Sequence, residues 1–410
     1  MKSVVVSAVD VPSSFVALRS LHRRGVHTVA VSERESPEVF CSRYCDEAVR
    51  VPSPCRSAVA YKDALLDLAA RDDVQTILPF REEDVYVLSR YRDEFAEHIA
   101  TPFPDFETLC RVQDRMALFD VAADIGVAIP ETELLTDCDD WSRPSIVKGR
   151  YTILADAFRE STAAPEAKPV RNNGDEPVEG LRQPPATSYL PPGRRPNVEA
   201  LCDAAGHVPL IQEYMPDTDE YSFCAMYDSG EALATFQHRQ IRGFHYSGGT
   251  SSFRKSVDEP ALEAAGLALL DELEWHGPAD VEFKRDPTTG EFKLMEINPR
   301  FWSSVPFAVQ AGADFPLYYW LVATGRSDLV DPGYEVGIGG HLLMGEVSYL
   351  LSVLREDVPL VDRPSMPEAL ASVLTSFVRY PRFDYLDTSD PCPAVRYAYN
   401  TVREAFRRRV

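Results

Sequence analysis

Two strand-like segments separated by a turn constrain the fold of this chain more than any other feature of its sequence. Residues 279–285 and 291–298 flank the run Asp286-Pro287-Thr288-Thr289-Gly290. Aspartate, proline and glycine between two strand patterns of similar length are typical of a β-hairpin. The sequence therefore predicts two antiparallel strands whose side chains alternate between the faces of a sheet.

Oxygen-donor side chains occupy one face of this predicted hairpin. Side chains two apart in a strand share a face, so Glu296 and Asn298 point the same way while Ile297 points into the core. Asp280 and Glu282 share a face of the preceding strand, and pairing brings the two faces together. Such hard oxygen ligands suit Mg²⁺ with a nucleotide rather than zinc. The alternative interpretation is an acidic hairpin whose polar face lies in water.

An arginine follows the hairpin and favours the nucleotide interpretation. Arg300 lies two residues beyond Asn298, and a guanidinium there can pair with the planar oxygens of a phosphoryl group or an acyl phosphate. The register of the hairpin stays open at this point. Symmetry about Thr288 places Asp280 opposite Glu296, and Glu282 is the other candidate.

The net charge of the chain limits the classes of partner that it can bind. The formal net charge is -22, from 64 acidic and 42 basic residues, and lysine occurs at only seven positions among 410. A strongly acidic surface repels nucleic-acid backbones and anionic membranes, so neither is expected as a partner. Abundant carboxylates with scarce lysine resemble the composition of salt-adapted proteins.

The cysteines and the length of the apolar runs indicate the cellular compartment in which the protein is expected. Eight cysteines are present, and Cys41 and Cys45 are the only closely spaced pair. Because no second Cys or His pair follows nearby, we interpret all eight as reduced thiols rather than as a metal site. No stretch of about 18 uncharged apolar residues occurs. The expected localisation is cytoplasmic.

The pattern of strands, helices and loops divides the chain into three parts. Residues 1–108 begin with strand, helix and strand patterns and predict an open parallel α/β domain. Residues 109–330 contain the hairpin, and 161–196 form a proline-rich insertion that we expect to be mobile and disordered. Residues 331–410 are expected to form a mainly helical extension.

With the motifs in order, the chain resembles the ATP-grasp superfamily over roughly residues 110–325. The resemblance is to the carboxylate-amine ligase type, related to carbamoyl-phosphate synthetase and amino-acid ligases. It implies an α+β fold of two subdomains behind the first α/β domain. The matching segments are Met295-Glu296-Ile297-Asn298-Pro299-Arg300 after Val281-Glu282-Phe283, Gln113-Asp114-Arg115, Gly126 to Pro130, Ser145-Ile146-Val147-Lys148, Gln212-Glu213-Tyr214-Met215, and Asp219-Glu220-Tyr221-Ser222.

The resemblance implies a role for each matching side chain. The cofactors would be ATP and Mg²⁺, with Mn²⁺ as an alternative. The metal ligands would be Glu282, Glu296 and Asn298, with Asp280 second to Glu282. The ATP-binding residues would be Arg115, Lys148, Gln212, Glu213, Tyr214, Met215 and Glu220, with Lys148 on the phosphates, residues 213–215 at the adenine edge and Glu220 on the ribose. Arg300 would act in catalysis.

A second loop supplies another candidate catalytic residue. Residues 238–252 combine basic side chains, hydroxyls and Gly248-Gly249. Arg242 is the residue that we expect to hold a substrate carboxylate and to stabilise an acyl phosphate. The alternative is a flexible hairpin tip.

The sequence departs from the family pattern at two places. Arg115 stands where a lysine is usual, which keeps the charge but changes its reach and shape. The glycine-rich loop expected after Lys148 is missing, because Gly149-Arg150-Tyr151-Thr152-Ile153-Leu154 leads into the insertion. Either Arg150 and the insertion cover the phosphates differently, or nucleotide binds without rapid turnover.

The expected reaction is an ATP-dependent ligation. A small-molecule carboxylate would attack ATP to give an acyl phosphate, and an amine would then form the amide, with release of ADP and phosphate. A homodimer is a possible oligomeric state. The alternatives are a non-catalytic or regulatory ATP-binding protein of the same fold, or other ATP-grasp chemistry such as carboxylation or hydroxyl phosphorylation.

Overall fold

The first layer of the molecule is a four-stranded parallel sheet. The computed structural model describes residues 2–7, 12–155, 180–216 and 218–407. The strands lie in the order β3-β2-β1-β4, and all three pairings are parallel. They are β1 (Ser3–Val6), β2 (His27–Ser32), β3 (Glu47–Arg50) and β4 (Val74–Leu78).

Helices cover this sheet as the apolar pattern predicts. β1 is fully buried, as strands of covered parallel sheets are. The Ser57 side chain accepts a hydrogen bond from the Ala60 amide and so caps the second helix. The helices are α1 (Pro12–His22), α2 (Ala58–Ala69), α3 (Glu82–Arg90) and α4 (Arg92–Ala96). Because α3 begins just after β4, Glu82 lies at the carboxyl edge of the sheet, where open α/β sheets bind ligands.

A small antiparallel sheet forms the next layer. Its strands lie in the order β5-β8-β6-β7. Lys148 ends β6, and residues 213–215, which are predicted to pair with adenine, begin at the end of β8. Asp114 separates two helices and caps the second by accepting from the Met116 amide. The elements are α5 (Phe106–Gln113), α6 (Arg115–Asp124), β5 (Thr132–Leu134), β6 (Ser145–Lys148), β7 (Ser188–Leu190), α7 (Val198–Ala205) and β8 (Leu210–Glu213).

A larger six-stranded antiparallel sheet carries the predicted hairpin. Its order is β13-β12-β9-β10-β11-β14. The turn between β9 and β10 uses Ser229 and Gly230 at φ of 52° and 86°, a left-handed pair suited to a tight hairpin. The elements are β9 (Asp219–Asp228), β10 (Glu231–His245), β11 (Gly248–Ser256), α8 (Pro260–Glu272), β12 (Gly277–Arg285), β13 (Phe292–Asn298) and β14 (Gly339–His341).

The C-terminal region is helical, as predicted, but it is not a separate extension. Its strand β14 pairs with β11 and completes the edge of the large sheet. Gly339 and Gly340 permit that pairing, because a Cβ on either would lie within 3 Å of the Tyr380 or Phe307 ring. The helices are α9 (Val305–Gln310), α10 (Phe315–Ala323), α11 (Leu343–Arg355), α12 (Met366–Arg379) and α13 (Cys392–Arg407).

The structure corrects two expectations from the sequence. Residues 161–179 of the predicted insertion lie outside the described residues, but 180–196 are ordered and include β7, which pairs with β6. The cysteines are not all thiols, because Cys41 and Cys392 form a disulfide between the first layer and α13. Among the described helices, none is both long and apolar enough to cross a membrane.

Candidate active site

Four oxygen-donor side chains converge on the β12–β13 hairpin. Glu282 lies opposite Glu296, and Asp280 lies opposite Asn298. The Asn298 Nδ2 donates to Asp280 Oδ2 at 3.2 Å and to Glu282 Oε1 at 2.9 Å. The symmetric register about Thr288 is therefore wrong. The turn pairs Arg285 with Phe292, which is one residue away from the symmetric register, and a further shift between Glu282 and Phe283 sets Glu296 opposite Glu282.

The charge state of this cluster follows from its surroundings. Burial raises the pKa of Asp280 to about 6. Burial also raises the pKa of Glu282 well above its ordinary value, and the neighbouring carboxylates of Glu296 and Asp280 add to the effect. Burial opposes ionisation of Glu296 as well, but Arg115 and Lys148 hold the pKa of Glu296 below its ordinary value. The cluster is a set of crowded carboxylates that a bound cation would stabilise.

Two cations from the small sheet and its helix face Glu296. The Arg115 Nη2 donates to Glu296 Oε2 at 2.5 Å, and its Nη1 donates to the Gly149 carbonyl at 2.8 Å. Lys148 lies at the end of β6 with its ammonium 5.7 Å from the Phe119 ring centre. Burial and the Arg115 charge lower the pKa of Lys148 to about 7. A ligand with several negative charges would bring this amine to its charged form.

Arg300 joins the hairpin to the first layer. Its Nε donates to Glu82 Oε1 at 2.7 Å, and its Nη2 donates to Asn298 Oδ1 at 3.0 Å. The other Glu82 oxygen accepts from Gln113 Nε2 at 3.0 Å. Burial lowers the pKa of Arg300, but the charges of Glu82 and Asp280 outweigh burial and raise this pKa. Arg300 is thus a fixed cation at the boundary between the first layer and the carboxylate cluster.

A cavity of about 480 Å³ is lined by Lys284 and Met295 of the hairpin strands, whereas the oxygen donors of the cluster do not line it. It runs along the large sheet, and its walls come from both sheets and from the C-terminal region. All of the residues predicted to bind adenine and ribose contribute to it, namely Gln212, Glu213, Tyr214, Met215 and Glu220. A cavity of this volume is within the ordinary range for small-molecule sites.

Lysines contact two of the four acidic residues that line the cavity. Glu213 Oε1 accepts from Lys293 Nζ at 2.8 Å and from the Glu131 amide at 3.1 Å. Glu220 accepts from Gln240 and lies 3.2 Å from Lys284 Nζ. Gln212 differs from the other predicted residues, because its Nε2 donates to Thr132 Oγ1 at 2.8 Å and its side chain is buried between β5 and β8.

Arg242 lies at the cavity wall, but its guanidinium is engaged elsewhere. Its Nε and Nη2 donate to the two Glu346 oxygens at 2.9 and 3.0 Å, and Nη2 also donates to Ser376. The side chain is only 8% exposed and stacks over Phe253. The catalytic role of Arg242 stays a prediction. Its contacts are those of a residue that ties α11 and α12 to the large sheet.

The segment after Lys148 does not form a free phosphate loop. Arg150 pairs with Asp114, with Nη2 2.6 Å from Oδ2, so its charge is already compensated. Tyr151 and Ile153 are buried, and a Cβ on Gly149 would lie 2.6 Å from Pro184. Residues 149–155 are therefore packed against the ordered end of the insertion. The expectation that Arg150 covers the phosphates has no support in these contacts.

The donor set fits Mg²⁺ held together with a nucleotide. Within the described parts of the chain, no group of three or more His, Cys, Asp or Glu side chains is arranged to enclose a metal. Mg²⁺ is usually bound by one or two carboxylates, and substrate phosphates and water complete its octahedral shell. Glu282, Glu296 and Asn298 supply oxygens of that kind on the two strands whose Lys284 and Met295 line the cavity.

The two-sheet architecture and the position of this site define the ATP-grasp fold, and comparison with solved structures shows the same fold. The biotin carboxylase domain of Hydrogenobacter thermophilus 2-oxoglutarate carboxylase, solved with MgADP and bicarbonate, superposes with a TM-score of 0.58. Its sequence is 16% identical, over 82% of this chain and 73% of that chain. N5-carboxyaminoimidazole synthetase from Staphylococcus aureus gives a TM-score of 0.57 at 13% identity, over 83% and 82% of the two chains.

A longer protein contains the same architecture. Rhizobium etli pyruvate carboxylase superposes with a TM-score of 0.56 at 15% identity, over 83% of this chain but 29% of that one. This chain therefore spans less than a third of that protein. No protein-family model matches the sequence, and the comparison with curated proteins gives no match. At these identities the likeness establishes the fold.

Sequence reasoning missed several residues at the site. Met295, Tyr189 and Lys284 line the cavity, and Glu82 holds Arg300. Lys284 could have been found, because it lies two residues after Glu282 and so shares its strand face. Tyr189 lies in the insertion that was expected to be disordered. Glu82 lies more than 200 positions from Arg300, and no sequence pattern connects the two.

Proposed function

We propose that this protein is an ATP-dependent carboxylate-amine ligase. The observation that supports this most is the convergence of four oxygen donors, two cations and Arg300 beside a cavity lined by the predicted adenine segment. Crowded carboxylates next to fixed cations suit the transfer of a phosphoryl group, in which positioning and charge stabilisation supply most of the catalysis.

In the proposed complex the nucleotide lies along the cavity. The backbone of residues 213–215 pairs with the adenine edge, and Glu220 accepts from the ribose hydroxyls. Lys148 and Arg115 contact the phosphates, and Arg115 has to shift from Glu296 toward them. Glu282, Glu296 and Asn298 would hold Mg²⁺, which would neutralise charge on the β- and γ-phosphates.

The carboxylate substrate lies on the side of Arg300. One of its oxygens attacks the γ-phosphorus of ATP, the bond from that phosphorus to the β,γ-bridging oxygen breaks, and ADP leaves. An amine then attacks the carbonyl carbon, loses a proton, and displaces phosphate to leave an amide. Arg300 orients the carboxylate and stabilises the acyl phosphate through its planar donors. Glu82 positions Arg300 from the first layer.

A second candidate is the activation of bicarbonate in place of an organic carboxylate. The similar solved structures favour it, because they include carboxylases and a carboxyaminoimidazole synthetase. Phosphoryl transfer to bicarbonate gives carboxyphosphate, and attack of an amine gives a carbamate. The same residues would serve both reactions, and the choice depends on the space beside Arg300.

Transfer of labelled oxygen tests the proposal. The protein is incubated with Mg-ATP, mixtures of amines, and carboxylates enriched in ¹⁸O at the carboxyl group, and the released phosphate is analysed by mass spectrometry. Formation of an acyl phosphate places one ¹⁸O in each phosphate released. ¹⁸O-bicarbonate without an organic acid provides the matched second condition.

The outcomes separate the candidates. Labelled phosphate from an organic acid supports amide ligation, and labelled phosphate from bicarbonate alone supports carboxylation. ADP release with unlabelled phosphate under both conditions would contradict activation of a carboxyl group. Binding of ATP without any release of ADP would indicate a non-catalytic nucleotide-binding protein.

A further inference from the structure

Two C-terminal helices expose an apolar face that nothing in this chain covers among the described residues. Seven large apolar side chains on α11 and α12 are between 39% and 85% exposed. We call this surface the α11–α12 face. Its residues are Leu343, Val347, Leu351 and Leu354 on α11, and Leu370, Leu374 and Val378 on α12.

The spacing of these residues gives each helix a second apolar side. Residues four apart lie on one side of a helix, so Leu343, Val347 and Leu351 form one stripe and Leu370, Leu374 and Val378 form another. The opposite sides already pack together through Tyr349, Val353, Ala369 and Val373. The pair thus resembles half of a four-helix bundle, with one side buried and the other free.

The exposed face lacks charge, although the chain as a whole is highly charged. From Leu343 to Leu354 the one ionisable acid or base is Glu346, which is buried under Arg242 and His341. From Ala369 to Val378 there is none. Charged residues make up 26% of the sequence, so two adjacent helix faces without any are unusual for a surface in water. Extended exposed apolar patches usually mark interaction sites.

We propose that a second copy of this chain covers the α11–α12 face, through a two-fold contact that completes a four-helix bundle. Each copy has a net charge of -22, so two copies repel except where their surfaces are uncharged. The α11–α12 face is such a surface. The same net charge disfavours anionic membranes as the occupant, because their surface is also negative.

The size of the face fits a dimer of modest affinity. The two helices contain 13 and 14 residues, and a standard interface uses about 20 to 30 residues on each side. Because only part of each helix faces outward, residues beside the two helices have to join the contact. We therefore expect a dissociation constant in the micromolar range.

Charges at the two ends of the face fix the orientation. The helices are antiparallel, because Arg242 contacts Glu346 near the start of α11 and Ser376 near the end of α12. The end with the α11–α12 connection is acidic on balance, and the other end carries Arg379 and Arg382, with Glu335 3.7 Å from Arg382. The acidic end holds Glu356, Asp357, Asp362 and Glu368 beside Arg355 and Arg363. A two-fold axis that reverses the helices brings acidic and basic ends together.

Sedimentation equilibrium of the full chain tests the proposal, at about 1 to 200 μM protein and about 1 M salt so that net repulsion is screened. The wild type should reach twice the mass of one chain. Val347→Glu and Leu374→Glu should each weaken association roughly 100-fold, because each buries two carboxylates in the contact. Val59→Glu on α2, where Val59 is 48% exposed, is the matched control and should associate as the wild type does. Circular dichroism confirms that each variant folds.

Charge exchange tests the orientation, and two results would overturn the proposal. At about 0.15 M salt, where the charges across the contact are only partly screened, Arg379→Glu should weaken the dimer, and the double variant Arg379→Glu with Glu368→Arg should restore it. A wild-type protein that stays monomeric at 200 μM, or glutamate variants that still dimerise, would contradict the contact. Cosedimentation of wild-type monomer with phosphatidylcholine vesicles, lost in Val347→Glu but not in Val59→Glu, would assign the face to lipid instead.

Discussion

Glu296 is the residue on which the site depends most. It lies between Arg115 and the acidic partner Glu282, and the nearby cations keep its pKa low although it is partly buried. A carboxylate that stays ionised in a crowded acidic cluster is a ready ligand for a divalent cation. Its neighbours Glu282 and Asp280 have raised pKa values, so Glu296 contributes the most stable negative charge in the cluster.

Replacing that carboxylate with an amide tests its role. Glu296→Gln keeps the size of the side chain but removes the charge, and we expect a loss of ATP turnover of roughly 100-fold or more. The thermal midpoint should change little, because the amide still fills the space. ADP release measured by a coupled assay gives the result. The control is Glu291→Gln at the exposed hairpin turn, which should retain activity, and equal activity of both variants would remove Glu296 from the site.

The lowered pKa of Lys148 predicts proton uptake when ATP binds. The pKa falls from 10.5 to about 7 in the free protein, so at pH 8 the amine is mostly neutral. Nearby phosphates favour the charged amine and raise its pKa, so binding at pH 8 should take up close to one proton. Below about pH 6 the amine is already charged and this uptake should vanish.

Calorimetry in buffers of different ionisation enthalpy measures this proton. The control is Lys148→Arg, which is charged throughout this pH range and cannot take one up. The difference in proton count between wild type and variant isolates Lys148 from the neighbouring carboxylates. An identical count for both proteins at pH 8 would show that Lys148 does not contact the nucleotide in its charged form.

Site residues could be predicted from the sequence where their positions follow the two-residue period of a strand. Glu296 and Asn298 were placed together by the two-residue period of a strand, and the structure confirms that Asp280 and Glu282 face them. Glu82 could not be found in this way, because its contact with Arg300 depends on how β4 of the first layer packs against the large sheet. In that packing Phe80 stacks on Phe301 with ring centres 5.0 Å apart. Such a contact can be seen only in the folded structure.

At the scale of elements, turns and irregularities decided what the sequence could predict. Asp228-Ser229-Gly230 between two alternating strand patterns is typical of a hairpin turn, and β9 and β10 pair on either side of it. The register of β12 and β13 could not be predicted, because the irregularity after Glu282 has no sequence signature such as a glycine. The strand β7 was missed because the proline-rich run around it resembles a disordered segment, although Tyr189 pairs with Ile146 of β6.

The contact between α8 and β9 gives a prediction at this scale. A Cβ on Gly266 would lie 2.1 Å from the buried Phe223 ring. Gly266→Ala should therefore destabilise the protein by about 1 to 3 kcal/mol, since the clash outweighs the gain in helix propensity. Unfolding in urea measures the loss.

The ring that causes the clash provides the control. In the double variant Gly266→Ala with Phe223→Leu the smaller side chain leaves room for the new methyl group, so the loss should be less than the sum of the two single losses. A strictly additive loss, or a stabilised Gly266→Ala protein, would contradict the packing of α8 on β9.

For the molecule as a whole, the C-terminal region belongs to the folded unit. It supplies β14 to the large sheet, Tyr349 to the cavity, and α13 to the first layer through the Cys41–Cys392 disulfide. The sequence could not show this, because the two cysteines lie 351 positions apart and a strand of three residues rich in glycine carries no β pattern. A division at residue 330 therefore cuts through the sheet.

The disulfide predicts a thiol count for the whole chain. Of eight cysteines, six should react with a thiol reagent in denaturant without reductant, and all eight after reduction. Cys392→Ser should lower stability by roughly 2 to 5 kcal/mol, because the bond restricts the unfolded chain. Cys202→Ser, at a cysteine that is free in the structure, is the control and should be nearly neutral. Eight reactive thiols in protein purified without reductant would contradict the pairing.

The binding of a non-hydrolysable Mg-ATP analogue, measured by isothermal titration calorimetry, tests the central claim most directly. The account predicts one site per chain for the wild type and for Glu291→Gln, with affinity that depends on Mg²⁺, and at least tenfold weaker binding for Glu296→Gln. Absence of binding to the wild-type protein, or equal affinities for all three proteins, would contradict a Mg-nucleotide site at the β12–β13 hairpin.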